Sequence, residues 1–253
     1  MTKSRPNPTL LYLCFTAVYL IWGSAFAATK LVVHDLPPLL AVGLRFTVAG
    51  IGLTIVAAWR GAALPRRARE WQHFAVMALF LIVLSSGLNA LAMRHVTSSQ
   101  SALLNVSSAF WIPLLGTLGA RGHPLTARGG AGLLLGFAGV VFLMWPHAGF
   151  ALANVGWNFV ILAGCFAWAL GTQYYRRIRS VTPALMFTAL EMLIGGLALG
   201  AIGLSGGDIS RWHATWPSVG ALVFLTVFSS GIAYTAFGYL MRNTTPARLA
   251  TYA

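Results

Sequence analysis

"PALMFTALEMLIGGLALGAIGLS" (residues 183–205) is a run of 23 residues with a single charge, Glu191. Its length suits the ~20 residues that carry a helix across a hydrocarbon core of about 30 Å. Pro183 opens it, where a helix does not need the missing N–H. Shifted back by 146 positions, the stretch lies over "PPLLAVGLRFTVAGIGLTIVAAW" (37–59). Pro183 falls on Pro37, Leu190 on Leu44, Gly196 on Gly50 and Leu199 on Leu53. The lone Glu191 falls on the lone Arg45.

The match runs on in both directions. Trp168 falls on Trp22 at the same shift, and at shifts of 144 and 148, four residues of slippage between them, "SSGL" (85–88) meets "SSGI" (229–232) and "MRHVT" (93–97) meets "MRNTT" (241–245). Leucine matches between two apolar stretches carry little weight. The Trp, Pro, Ser-Ser-Gly and Met-Arg matches in one order carry more.

Eight apolar segments of spanning length can be marked, roughly 10–29, 37–59, 71–93, 98–119, 128–146, 152–175, 183–205 and 215–240. Alternation of period two is absent and the runs are too long for barrel strands, so each reads as a helix. Pro113 is expected to kink the fourth. Hydrophobic residues are 58% of the chain and charged residues 8%, and the mean hydropathy is +0.76. A soluble domain could not hide so much apolar surface. The first segment follows Lys3 and Arg5, but it is longer than a signal-peptide core and reads as a membrane helix.

The net charge of +13 sits in short clusters between the apolar runs, with no basic face or tail, which argues against nucleic acid. With the N-terminus in the cytoplasm, thirteen basic residues fall inside: Lys3, Arg5, Arg60, Arg66, Arg67, Arg69, Arg121, Arg128, Arg176, Arg177, Arg179, Arg242 and Arg248. Three fall outside, Lys30, Arg94 and Arg211, and Arg45 lies within the second segment. That asymmetry fixes orientation in a bacterial inner membrane and meets anionic lipid on one leaflet.

Five segments separate equivalent points of the repeat. Five is odd, so the second copy is threaded upside down, the plan of a carrier that exposes its site to each side in turn. Residues 1–146 form the first five-helix unit and 147–253 an incomplete second. A complete second copy would end near residue ~291, by the same shift. The chain is therefore read as a fragment holding about eight helices and the start of a ninth.

These motifs resemble the EamA-type transporters of the drug/metabolite transporter superfamily, over essentially the whole chain. "WGSAFAATK" (22–30) is similar to that family's first-helix ending, "RGGAGLLLGFAGVVFLM" (128–144) to its glycine-patterned fifth helix, and 168–200 to the start of its second copy. The resemblance implies an all-α integral membrane fold of ten helices in two inverted five-helix repeats. It implies export or exchange of small metabolites through a central cavity. One departure stands out: where the family often has a Gly-Glu-Arg-Leu-like turn, this chain has Gly122-His123-Pro124-Leu125.

Polar groups at membrane depth are the candidate substrate-binding residues. Glu191 and Arg45 each lie eight residues past a helix-opening proline, about 12 Å in and about 3 Å from the midplane on opposite sides. An ionised group there costs several kcal/mol unless paired or wetted. Three arrangements meet that cost. The two pair across the repeats; or Arg45 snorkels outward and leaves Glu191 protonated; or one or both face a wet cavity, Arg45 toward a substrate carboxylate and Glu191 toward an amine or a coupling proton.

Ser85, Ser86 and Asn89 lie on the third segment, and Ser101, Asn105 and Ser108 share a face of the fourth, with Trp111 following. Ser229, Ser230 and Tyr234 occupy the eighth. They read as substrate contacts or as interhelical hydrogen bonds, worth about 0.6 kcal/mol each. Trp22 and Trp168 read as cavity walls or interfacial anchors. Gly132, Gly136 and Gly139 read as a close-packing face.

The six histidines (34, 73, 95, 123, 147, 213) lack metal-ligand spacing and read as surface residues near helix ends or, for His34, in a loop. Cys14 and Cys165, both inside apolar runs, suggest neither disulfide nor metal. No cofactor is implied. No phosphate-loop, H-E-x-x-H or nucleophile motif points to an enzyme. The expected partners are a small-molecule metabolite and the bilayer; a non-transporting membrane scaffold or accessory subunit is the alternative function.

Overall fold

The computed structural model describes residues 7–118, 127–144, 155–178 and 180–252. It is an integral membrane protein built from helices, with no strand among the described residues. In chain order the helices are α1 (Pro8–Asp35), α2 (Pro38–Trp59), α3 (Ala68–Ala92), α4 (Ser98–Asn105), α5 (Ser108–Gly116), α6 (Ala127–Met144), α7 (Val155–Arg177), α8 (Ala184–Ser205), α9 (Trp216–Asn243) and the short α10 (Pro246–Leu249). Of the eight expected spans, six (α1, α2, α3, α7, α8 and α9) are single helices long and apolar enough to cross a bilayer. Their outer faces carry bare apolar side chains such as Tyr12, Leu20, Phe159, Leu197 and Ile202, the surface that lipid tails cover.

The fourth expected segment is broken, and not at Pro113. Pro113 lies within α5, while the chain leaves the helix at Val106–Ser107. Side chains there take carbonyls from the helical ladder. Asn105 Nδ2 donates to Ser101 O at 2.8 Å, Ser108 Oγ to Asn105 O at 2.8 Å and Cys165 Sγ to Leu104 O at 3.7 Å. The amides answer with tighter bonds, Ser107 N to Leu104 O and Ala109 N to Val106 O. Local polar side chains outcompete the i→i−4 pattern.

Two other departures are shared by the two halves. Residues Ala78–Gly87 of α3 and Leu225–Ala233 of α9 are wound as π-helix. Each wide segment holds the Ser-Ser-Gly that the two stretches share.

Bonds between helix ends fix the threading. At one end Ser180 and Thr182 donate to Glu70, His73 Nδ1 meets the Tyr174 hydroxyl at 2.6 Å, and Arg176 donates to Met241 O at 2.8 Å. Arg177 donates to the Leu115 and Leu118 carbonyls. Those neighbourhoods hold most of the arginines, so this is the basic end. At the other end Lys30 Nζ donates to the carbonyls of Met93 and Val96, at 2.6 and 2.7 Å. Thr215 donates there to Asp35, His95 stacks on Trp157 at 4.0 Å, and Gln100 donates to Asn158 at 2.7 Å. Thus α1 leaves the basic end and α7 returns to it; α2 returns to it and α8 leaves it.

The histidines follow from these contacts. His73 is buried and bonded rather than on the surface, and His34 belongs to the last turn of α1, which runs six residues beyond the expected Thr29. His123 and His147 lie outside the described residues, and His213 is exposed.

Helices α2 and α8 pack backbone against backbone. A Cβ on Gly50 would lie 2.7 Å from Leu193 N, and one on Gly196 would lie 2.4 Å from Thr47 N. The 146-residue shift turns the first contact into the second. Gly43 meets the backbone of Gly200 in the same way, at 2.5 Å. By contrast Gly132, Gly136 and Gly139 of α6 have nothing within 4 Å of a built Cβ among the described residues. Gly132 and Gly136 border a hollow of about 80 Å³ beside Val106 and Phe110, so the described residues supply no close-packed partner for this face.

Gly196→Ala should therefore lower the unfolding midpoint in detergent by several degrees, as an overpacked interface costs about 1–3 kcal/mol. Gly132→Ala should leave it unchanged or raise it, by the helix propensity of alanine. Differential scanning fluorimetry of the two variants checks the contrast.

Candidate functional site

A cavity of about 510 Å³ lies among α1, α2, α3, α4, α5, α7 and α9. It brings together seven of the eight candidate residues: Trp22, Arg45, Asn89, Asn105, Ser108, Trp168 and Tyr234. Their positions along the helices place it. The wall residues run from Tyr19 to Thr29 on α1, Val42 and Arg45 on α2, Ser85 to Met93 on α3 and Ala102 to Asn105 on α4. All lie in the middle or toward the end opposite the basic one.

Aromatic rings form the floor. Trp22 and Trp168, paired by the repeat, meet edge to face at 5.5 Å; Tyr234 lies 6.2 Å from the first and 5.6 Å from the second, and Phe237 5.1 Å from both. Trp22 Nε1 also donates to Ser229 O at 3.3 Å, in the π-segment of α9. These tryptophans stand mid-helix, on the cavity rather than at an interface.

Below the floor the basic end is filled. Phe187 contacts Phe74 at 4.8 Å and Tyr175 at 4.9 Å, and Arg242 stands over the Tyr175 ring at 4.8 Å. Glu191 is buried here, 1% exposed, and is not on the cavity wall. Its Oε2 has no hydrogen-bond partner among the described residues.

Arg45 and Glu191 therefore do not pair. Among the described residues the contact within ion-pair distance is His34 Nδ1 with Asp35 at 2.6 Å. Arg45 does not snorkel outward either. It stays half-buried on the cavity wall, with Nε donating to Ser230 Oγ at 2.8 Å and its Cζ 4.5 Å over the Phe46 ring.

The other hydroxyls on the cavity wall are mostly spent on carbonyls three to five residues earlier in the chain: Thr29 on Ala25 O, Ser86 on Leu81 O and Ser108 on Asn105 O. Asn105 is also bound on both sides of its amide, donating to Ser101 O and accepting from Cys165 Sγ at 3.5 Å. Asn89 Oδ1 accepts from Ser101 Oγ at 3.2 Å.

Several wall residues were not singled out from sequence: Tyr19, Phe26, Thr29, Met93 and Cys165. Tyr19, Trp22, Phe26 and Thr29 follow spacings of three and four and share one face of α1. Extending a face outward from Trp22 finds them. Cys165 looks like core from sequence because nothing local distinguishes a cavity-lining apolar residue from a packed one.

The model of the EamA-like transporter family matches residues 9–145 and again residues 155–253. The chain belongs to the EamA-like transporter family. Among its EamA relatives is YedA of Escherichia coli K12, described as an uncharacterized inner membrane transporter, 31% identical over 240 residues that cover 94% of this chain and 76% of that one. YvbV of Bacillus subtilis, described as an uncharacterized transporter, is 28% identical over 260 residues, covering 100% of this chain and 81% of its own. A solved crystal structure 22% identical in sequence superposes with a TM-score of 0.74, over 98% of this EamA chain and 83% of that one.

A hydrated cavity makes a direct prediction. In a chain carrying Cys14→Ala and Cys165→Ala, Ser85→Cys should react with a small polar thiosulfonate at least ~10-fold faster than Thr188→Cys, because only an accessible thiol is attacked. Thr188 is buried in α8 away from the cavity. Equal rates would mean that the cavity is dry.

Proposed function

We propose that this chain is a secondary transporter of small metabolites working by alternating access, its two units, 1–146 and 147–253, threaded in opposite senses. The supporting observation is the cavity itself: it opens the half of the bundle away from the basic end, while aromatic and aliphatic side chains fill the other half. A carrier caught between substrate entry and release has this asymmetry. The double match to one family model and the symmetric Gly50–Leu193 and Gly196–Thr47 contacts support the paired units.

In this reading Trp22, Trp168 and Tyr234 are both floor and gate. Substrate rests on them from one side. Tilting of one unit against the other separates the rings and opens a path to the basic end. The exchange brings Glu191 to the wall, as Arg45 is at the wall now, because the two sit at equivalent depths measured from opposite ends. The basic loops support a cytoplasmic position for that end and for the N-terminus, and the E. coli relative's description supports an inner membrane. Energy comes from a proton or solute gradient, since the sequence given carries no phosphate-loop motif.

Sealed proteoliposomes loaded with a radiolabelled panel of amino acids and small carboxylates test the reading. Wild type should release at least one member faster than empty liposomes. Trp168→Ala should reduce that rate by about 10-fold or more, on the order of an effect of 1.4 kcal/mol or above. Absence of flux across the whole panel, with the protein folded, would favour a scaffold or accessory role.

A further inference from the structure

Four acidic residues occur in the 253 given, and among the described residues no carboxylate lines the cavity. Asp35 is held by Thr215 and His34, and Glu70 by Ser180 and Thr182, at opposite ends of the bundle. Asp208 opens the short turn Asp208–Arg211. Glu191 is sealed under the aromatic floor. Arg45 is thus a cation on the wall of a membrane-depth cavity with no carboxylate on that wall among the described residues.

From this we propose that, in the conformation described, the cavity selects small monoanions: a carboxylate or similar oxyanion carried on an apolar, preferably planar, body. The proposal rests on reading the cavity as a substrate site.

Three features bear on it. Arg45 spends Nε on Ser230, and among the described residues no bond takes its two terminal nitrogens. A guanidinium's planar fork matches an oxyanion with two parallel bonds. The wall's other uncommitted polar groups also include donors. Asn89 accepts through Oδ1 and keeps its amide hydrogens, and the Ser85 hydroxyl has no bond to a described residue. Ser85 and Asn89 are one helical turn apart on α3. Finally, Tyr19, Trp22, Phe26, Trp168 and Tyr234 supply rings around the rest of the space. A volume of about 510 Å³ suits a small metabolite, within the usual range of about 300–1,000 Å³ for such sites.

A cation in this cavity meets Arg45 with no acid to offset it. A neutral amide loses the charge-assisted bonds. A zwitterion gains through its carboxylate and loses through its ammonium. Charge alone, on one scaffold, should therefore order the ligands.

The test is equilibrium binding of radiolabelled phenylacetate to the purified full chain in detergent at pH 7.5, with competition by 2-phenylacetamide, phenethylamine and phenylalanine. Phenylacetate should bind at least ~10-fold more tightly than the amide and the amine, with phenylalanine between. Arg45→Gln should bring phenylacetate down to the amide's level, and Arg45→Lys should retain part of the preference. The wild-type series decides the charge preference even where a variant fails to fold. The amide or the amine binding as tightly as phenylacetate would overturn the proposal, and so would no phenylacetate binding at all. Binding requires no translocation. Anion preference without flux would therefore contradict the transporter reading alone, and flux without anion preference would contradict this proposal alone.

Discussion

The contact on which the rest of the molecule depends is backbone against backbone, where α2 crosses α8. In lipid there is little hydrophobic drive to bring two helices together, since the tails are as apolar as the side chains. What remains is close packing, and that requires small residues. Gly50 lies against Leu193, and Gly196 against Thr47. Under the 146-residue shift these two contacts are images of one another, which supports the proposed crossing of two related halves. A side chain at either glycine would have to enter the other helix's main chain.

Once that crossing is fixed, the placement of the charges follows. Arg45 and Glu191 stand on the two crossing helices at equal depth from opposite ends, so they occupy opposite halves of the bundle. The half with Arg45 is open and the half with Glu191 is closed. Pairing between them would have joined the halves with an ion pair and filled the cavity. Instead, the serine hydroxyl of the π-wound segment of α9 holds Arg45 at the wall. Wide turns of this kind often occur at functional sites, and here one in each half turns a Ser-Ser-Gly toward the cavity region.

Much of this was legible in the sequence. Spanning lengths, the opening prolines and the shift of 146 residues locate the helices and the relation between them. Seven of the eight candidates converge because polar or aromatic groups at membrane depth, far from helix ends, have few places to go except a cavity. Glu191 diverged because depth alone does not say which half is open. The break at Val106–Ser107 was missed for a different reason. Pro113 is the conspicuous helix breaker, but the carbonyls lost to Asn105, Ser108 and Cys165 side chains depend on rotamers and on a neighbouring helix. The π-segments were invisible likewise, since no composition distinguishes them from α-helix. The glycines of α6 have no close-packed partner among the described residues: small-residue spacing permits close packing but does not name the partner.

In the proposed alternating-access cycle, Arg45 and Glu191 face the same aqueous pathway at different times and from different sides. The direct measurement is sided labelling of single cysteines, Asn89→Cys and Glu191→Cys, in sealed vesicles of known orientation with a membrane-impermeant thiol reagent. The account predicts that Asn89→Cys reacts only from the face opposite the basic loops. Glu191→Cys should react only from the basic face, and faster when substrate is supplied. Reaction of both from one face, or a Glu191→Cys that stays unreactive throughout turnover, would contradict it.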